Sequence, residues 1–341
     1  MKYIFPLAAV IALALIAWIG SAIPGLQYLF GVAVPYAALL LFVVGFCWRV
    51  LYWAKSPVPF RIPTTCGQGY SMPWVERDKF EAPANTKEVL GRMFMEIVFF
   101  RSLWRNTKAS IKPGPVLSYK STRWLWFFGI LFHYSMLVVL LRHLRLFTEP
   151  VPFLITALDA LDGITFNPTP EISLYITDAL ILFGLLALLF RRFIVRPVRY
   201  ISLANDYFPL FLLLGIVISG ITMRYFLRNG VDIIAIKHQL VRLATFKPEL
   251  STDIAPIFYT HLFLVSCLLA YFPFSKLMHL GGVFLSPTRN MVNDSRMKRP
   301  INPWNPDIKP HSYASYEDEL REDMVEQGIP VEKELPEKAE N

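Results

Sequence analysis

Charge is scarce in this chain. Of its 341 residues only 18% are Asp, Glu, Lys or Arg, against about 25% in soluble globular proteins. Hydrophobic residues make up 54%, above the usual range of about 45 to 50%. That balance excludes an ordinary water-surrounded fold and marks a membrane protein. Cysteine is nearly missing as well. Cys47 and Cys267 lie in apolar runs and Cys66 in a polar loop, so no CxxC, CxxCH or cysteine cluster exists for zinc, iron–sulfur or covalent haem, and no disulfide scaffold is possible. With 26 Pro and 17 Gly, collagen-like and low-complexity chains are excluded too. No dinucleotide fingerprint, Walker loop, nucleophile elbow or metalloprotease motif occurs, so the chain does not transform a water-soluble substrate alone.

What the sequence has in abundance is long apolar runs. A spanning helix needs about 20 mostly apolar residues. Six stretches qualify: 3–23, 28–54, 124–148, 172–190, 203–226 and 254–280. The runs are continuous instead of alternating, which excludes a β-barrel and predicts an all-α, polytopic membrane helical bundle. The net charge of +8 then reports topology, not a nucleic-acid partner. Residues 55–123 hold 12 Lys or Arg against 5 acids, and Arg191, Arg192, Arg196 and Arg199 face no acid in their turn. By the positive-inside rule both connections are cytoplasmic, as are both termini of a multi-pass protein of the cytoplasmic (inner) membrane. The first run, with Lys2 before it and Gly20, Ser21 and Ala22 after it, has features of a signal peptide. Its length and the near-immediate second run predict a retained helix.

Four segments follow. Residues 1–54 form a transmembrane hairpin, 55–123 a basic cytoplasmic loop, 124–285 a four-helix membrane domain and 286–341 a cytoplasmic tail. Within the loop, residues 85–108 open with a capping-box pattern, Asn85 to Glu88. Val89, Leu90, Met93, Phe94, Ile97, Val98 and Trp104 follow at helical spacing, with Arg92, Arg101, Arg105 and Lys108 as a basic side. This predicts an amphipathic helix on anionic lipid or against a partner. Residues 231–246 form a similar stretch on the outer side. The tail begins basic, becomes Pro-rich and carries ten acids after Tyr316, which predicts an extended, partner-docking or disordered arm.

Six histidines occur, and four of them fall in two spans: His133 and His143 in the third, His261 and His279 in the sixth. Ionisable residues inside spans are costly and mark function. His261 and His279 are eighteen residues apart, five helical turns, so they share one face at about 27 Å separation; ten residues separate His133 from His143 by about 15 Å. The two helices run oppositely. His133 therefore meets His279 on the inner side and His143 meets His261 on the outer side. Two imidazoles from opposed helices suit a haem iron ligated on both faces. Arg142, Arg145 and Arg224 are available to outer propionates, and Arg123 and Lys276 to inner ones. With both axial positions filled, such irons transfer electrons. Asp178 in the fourth span, beside Thr177 and Tyr175, and His238 in the outer amphipathic stretch are the candidate acceptors of quinol protons.

The ten-and-eighteen histidine spacing resembles that of the haem ligands in the gamma subunit of respiratory nitrate reductase, a dihaem cytochrome b that oxidises quinol. The chain length, the additional first span, the large basic loop and the tail SPTRNMVNDSRMKRPINPWNP resemble more closely the DsrM family, the cytochrome b subunits of the Dsr membrane complexes of sulfite and sulfate respiration. The cytochrome b subunit of heterodisulfide reductase is a further relative by this resemblance. It implies two non-covalent haem b groups on His133, His143, His261 and His279, and menaquinone or menaquinol as exchangeable substrate. It also implies a cytoplasmic iron–sulfur partner resembling DsrK, other Dsr membrane subunits, and a role in dissimilatory sulfur metabolism. A proton-coupled transporter or a non-redox membrane anchor are the competing readings. No internal repeat supports the first, and the second leaves four histidines without a purpose.

Overall fold

The computed structural model describes residues 2–57, 78–114, 116–165, 173–227, 231–250, 254–293 and 310–334. The chain divides into two units, Met1–Asp294 and Ser295–Asn341.

In the first unit five helices are long and apolar enough to cross a membrane among the described residues. They are α1 (Ile4–Ser21), the π-turn Leu29–Ala33 running on into α2 (Val34–Ala54), α5 (Arg123–His143) with its 3-10 extension to Leu146, α9 (Ala204–Ile221) with a π-turn to Phe226, and α11 (Pro256–Tyr271) with a 3-10 turn to Phe274. The run expected at 172–190 is α7 (Ile176–Ile194), a 19-residue helix with Asp178 in its first turn and Arg191 and Arg192 in its last. Those three charges keep it out of the five. It nevertheless packs along α5 and α9, where Phe132, Ile181, Leu185, Leu189, Tyr207 and Leu214 form a buried cluster. Gly184 permits that approach, since a Cβ there would lie 3.2 Å from the Phe132 backbone nitrogen. The outer surface of the bundle is apolar: Ile4, Phe5, Leu40, Leu51, Trp124 and Phe183 are exposed, as a bilayer-facing surface requires.

Several expectations need correction. The fold is mainly helical but not all-α. Thr107–Lys112 (β1) and Val116–Ser121 (β2) form an antiparallel hairpin, and Gly163–Thr165 (β3) pairs with Ser173–Tyr175 (β4). The sixth run is not one helix either. Pro273 lacks the N–H that would bond back into α11, and the chain leaves the helix at Tyr271 through Phe272–Phe274, turns extended at Ser275, and restarts through Lys276–Met278 into α12 (His279–Leu285). Ser275 caps the restart by accepting from the Leu277 amide at 3.1 Å.

The amphipathic helix expected over 85–108 also breaks. Asn85 caps α3 (Thr86–Phe99) by accepting from the Glu88 amide at 3.0 Å, and Glu88 in return accepts from the Ala84 amide. Phe100 then adopts a left-handed conformation, φ 51°, and α4 (Arg101–Arg105) runs on from it. Three arginines of the basic side are engaged within the chain. Arg101 and Arg105 are paired with Asp78 and Glu81, and Arg92 is buried beside Glu96. Burial by itself would raise the Asp78 carboxyl, but the Phe80 amide and the two arginines outweigh it and hold it below the ordinary value. What α3 exposes is apolar: Leu90, Phe94 and Ile97. Residues expected to open the tail belong to the first unit, where α13 (Pro287–Asn290) packs on α3 and the Asn293 amide donates to the Pro83 carbonyl at 2.7 Å.

The second unit carries α14 (Tyr313–Glu326), capped by Ser312, where an extended arm was expected. Buried Glu317 accepts from the Glu332 and Lys333 amides, each at 2.9 Å, folding the chain after α14 back onto it. Its carboxyl is held low by the Glu332 amide first, against desolvation, with help from the Lys333 amide and Arg321.

Candidate metal centres

The four histidines His133, His143, His261 and His279 meet in the expected pairs. The rings of His143 and His261 have centroids 6.4 Å apart and planes within 9° of parallel; those of His133 and His279 are 6.1 Å apart and cross at 83°. Both separations have the same meaning. Two metal–imidazole bonds of about 2 Å laid end to end, with half a ring on either side, put opposed ring centres roughly 6 Å apart. Among the described residues no three His, Cys, Asp or Glu converge, so two-fold ligation from opposite sides is what this donor set offers, and it fits the axial requirement of a haem iron.

Each ring is also held at Nδ1. His133 donates to the Gly129 carbonyl at 2.7 Å and His143 to the Val139 carbonyl at 2.7 Å, in both cases one turn back along α5. His279 donates to the Lys276 carbonyl at 2.9 Å. The fourth bond crosses helices. Ser219 on α9 spends its proton on the Ile216 carbonyl at 2.9 Å, so its oxygen accepts from His261 Nδ1 at 2.9 Å. Gly220 keeps that approach open, a Cβ there lying 3.3 Å from His261 Cε1. A tethered Nδ1–H fixes the tautomer in which Nε2 carries the free lone pair, the arrangement that metal-ligating histidines use. Aromatic rings wall the His133 site, with Phe100 and Phe132 centroids at 5.2 and 4.9 Å.

Next to His143 lies a buried charge network. Arg142 donates to Asp159 at 3.2 Å, Asp162 at 2.9 Å, Thr177 at 3.2 Å and Asp178 at 3.5 Å. Arg145 donates to Asp159 at 2.7 Å. Asp159 and Asp162 share a face of α6 (Phe153–Asp162). Tyr225 donates to Asp178 at 2.7 Å and itself accepts from the Tyr175 amide at 3.0 Å. The Tyr175 ring is covered by two guanidinium groups, Arg142 at 3.2 Å and Arg224 at 4.0 Å from its centroid. Arg142 and Arg145 are thus committed to carboxylates of this chain, and Arg224 to aromatic faces. Asp178 is partnered by Tyr225 and Arg142, and among the described residues no hydrogen bond joins it to the Thr177 or Tyr175 hydroxyl. His238 is exposed on α10 (Ile233–Ala244), whose buried residues are Ile236, Gln239 and Leu240. Sequence reasoning missed Ser219, Asp159, Asp162 and Tyr225. Only the i, i+3 acids of α6 carried any signal.

Residues 97–296 match the nitrate reductase gamma subunit family, a span that holds all four histidines. The chain is 48% identical over 285 residues to the Hdr-like menaquinol oxidoreductase cytochrome b-like subunit of Archaeoglobus fulgidus, covering 82% of this chain and 84% of the relative. It is 40% identical over 280 residues to the protein of the same description in Archaeoglobus profundus, covering 80% and 82%. By shared sequence along most of its length, the chain belongs to the nitrate reductase gamma-subunit family of cytochrome b-like membrane proteins.

Proposed function

We propose that this chain is the dihaem cytochrome b subunit of a membrane menaquinol oxidoreductase. It exchanges electrons between menaquinol and a cytoplasmic iron–sulfur partner of the DsrK, heterodisulfide-reductase-like kind, in dissimilatory sulfur metabolism. The observation that carries the proposal is the pair of opposed imidazole couples, each ring tethered through Nδ1. The printed names of the two archaeal relatives support the quinol side. In this reading α7 is a sixth span, its Asp178 neutralised by Arg142 and Tyr225, and both termini are cytoplasmic.

Haem b, when bound, supplies reversible one-electron exchange. The chain's own residues do the rest. With haem bound, His143 with His261 and His133 with His279 would hold it, and the bonds at Nδ1 keep the rings from turning. The pairs lie about 15 Å apart along α5, close to opposite faces of the bilayer. Quinol oxidation releases two protons with its two electrons. Asp178 lies at the level of His143, since both Arg142 and Tyr225 reach it, and its carboxylate takes a proton while the Tyr225 hydroxyl holds its orientation. His238, exposed on α10, passes protons to water.

The test is anaerobic reduction of the purified, haem-loaded chain by menadiol. Rapid haem reduction is expected in the wild type and a slower, differently pH-dependent rate in Asp178→Asn. Unchanged kinetics across pH in that variant would remove Asp178 from proton transfer, and a haem-loaded chain that menadiol does not reduce would overturn the quinol role.

A further inference from the structure

α3 is built inside out for a helix in water. Arg92 and Glu96 are 5% and 7% exposed, whereas Leu90 and Phe94 on its other side are 65% and 57% exposed. A helix bordering solvent buries its apolar stripe and turns its charges outward. Here the charged side chains between Lys87 and Arg105 are all buried or half-buried, and they are answered from within the chain. Glu96 accepts from the Ser102 amide at 3.1 Å and from the Ser102 hydroxyl, and Arg101 is paired with Asp78 and Glu81. Charge turned inward and paired, with apolar side chains outward, is the pattern that hydrocarbon surroundings impose.

Contacts with α5 give the depth. The Thr122 hydroxyl, just before α5, donates to the Asn106 carbonyl at 2.9 Å. One turn along, Trp126 meets the Trp104 ring at 4.5 Å, and the Arg123 guanidinium lies 4.6 Å from the Trp104 centroid. Further on, a Cβ at Gly129 would lie 3.5 Å from Leu103 Cδ2, and the Phe100 ring is 5.2 Å from that of His133. α4 therefore runs antiparallel to the first three turns of α5, with left-handed Phe100 at the apex. Trp and Arg gather where hydrocarbon gives way to headgroups. Phe100, at the level of His133, is then about 15 Å beyond Arg123 along α5.

The backbone at the apex is satisfied without water. Where α3 ends, the Val98 carbonyl accepts from the Tyr134 hydroxyl at 2.8 Å and the Phe99 carbonyl from Trp126 Nε1 at 2.7 Å. The Phe100 carbonyl accepts from the Leu103 and Trp104 amides. Carbonyls at a helix end in water need no such partners, but in hydrocarbon each must be met by the protein. Tyr134 is itself exposed on α5, so the apolar face of α3 continues the bilayer-facing surface of the bundle.

We infer that α3 and α4 form a re-entrant element, dipping into the leaflet at the Arg123 end of the bundle, and that Leu90, Phe94 and Ile97 contact lipid acyl chains. The turn at Phe100 closes the His133 side of the bundle from within the membrane.

The experiment uses the full chain in vesicles of phosphatidylethanolamine and phosphatidylglycerol. The photo-crosslinker p-benzoylphenylalanine is placed in turn at Phe94, at Leu90, at Leu40 on exposed α2 surface and at Tyr316 on α14, and mass spectrometry counts phospholipid adducts after irradiation. Phe94 and Leu90 should match Leu40 and exceed Tyr316 by about tenfold, the preference of a phenyl side chain for hydrocarbon over water. Adducts at Phe94 and Leu90 no more abundant than at Tyr316 overturn the inference. So does a crosslink to a second copy of the chain, or to a companion protein, in place of lipid. Should a labelled chain fail to fold, hydroxyl-radical footprinting of the wild type in the same vesicles decides: Phe94 should be oxidised as little as Leu40, and oxidation matching that of Tyr316 overturns the inference.

Discussion

At the end of the bundle where α5 finishes, His143 and His261 sit on uninterrupted helices with rings within 9° of parallel. At the other end His279 follows the break at Phe272–Met278 and its ring crosses that of His133 at 83°. The ring separations are nearly equal, so the difference lies in what holds the rings. His261 is tied to a neighbouring helix through Ser219, and His143 stands beside the buried Arg142 network. Among the described residues His279 is tied within its own short turn, to Lys276. One centre is built into the tertiary structure and the other is carried on a local device. Perturbations at one end should therefore leave the other intact.

The largest effect is expected from the ligands. His143→Ala or His261→Ala should each remove the same b-type haem component, and His133→Ala or His279→Ala the other, in redox-resolved absorption spectra. Loss of both components from one substitution would break the comparison at its root.

Arg142→Ala comes next. It leaves Asp159, Asp162 and Asp178 without the guanidinium they share, and removing one partner of a buried ion pair costs about 3–5 kcal/mol. Thermal unfolding should report that loss, and the remaining disturbance should fall on the His143–His261 component alone. Arg142→Lys keeps the charge but not the fork, and should recover only part of the stability.

The two serines give a finer contrast. Ser219→Ala removes the acceptor of His261 Nδ1 and should weaken metal binding at that centre by about 10–100-fold, the usual effect of losing a partner of a ligating histidine. Ser275→Ala removes the cap that restarts the chain before His279, a change worth about 1 kcal/mol, and should shift only the His133–His279 component. Equal effects on both centres would contradict their independence.

The smallest effect concerns α3 and α4. The Asp78 carboxyl is depressed below its ordinary 3.8, so its contribution to stability is complete above that value and fades as pH falls through the lower, folded one. Hydrogen exchange in α3 and α4 should accelerate in acid, and Asp78→Asn should remove that pH dependence while the bundle helices are unaffected.

How much of this was legible beforehand follows from the chemistry of the residues. Histidines inside apolar runs stand out because burial makes them costly, and their spacing fixed the pairing even though His261 and His279 do not share one straight helix. The break was hard to read since the apolar run gives no period to interrupt; Pro273 and Ser275 were its only marks. Arg101 and Arg105 read as a basic face because their partners, Asp78 and Glu81, lie some twenty residues away. Asp159 and Asp162 looked like ordinary loop acids until α6 brought them to Arg142. The two short ladders are three to six residues per strand, below what alternation can reveal.

The most direct measurement is the haem content of the purified chain by pyridine haemochrome, normalised to protein. Two protohaem groups per chain, both low-spin with bis-imidazole magnetic signatures, are predicted. One group, none, or a high-spin iron in wild-type material would contradict the paired-histidine account.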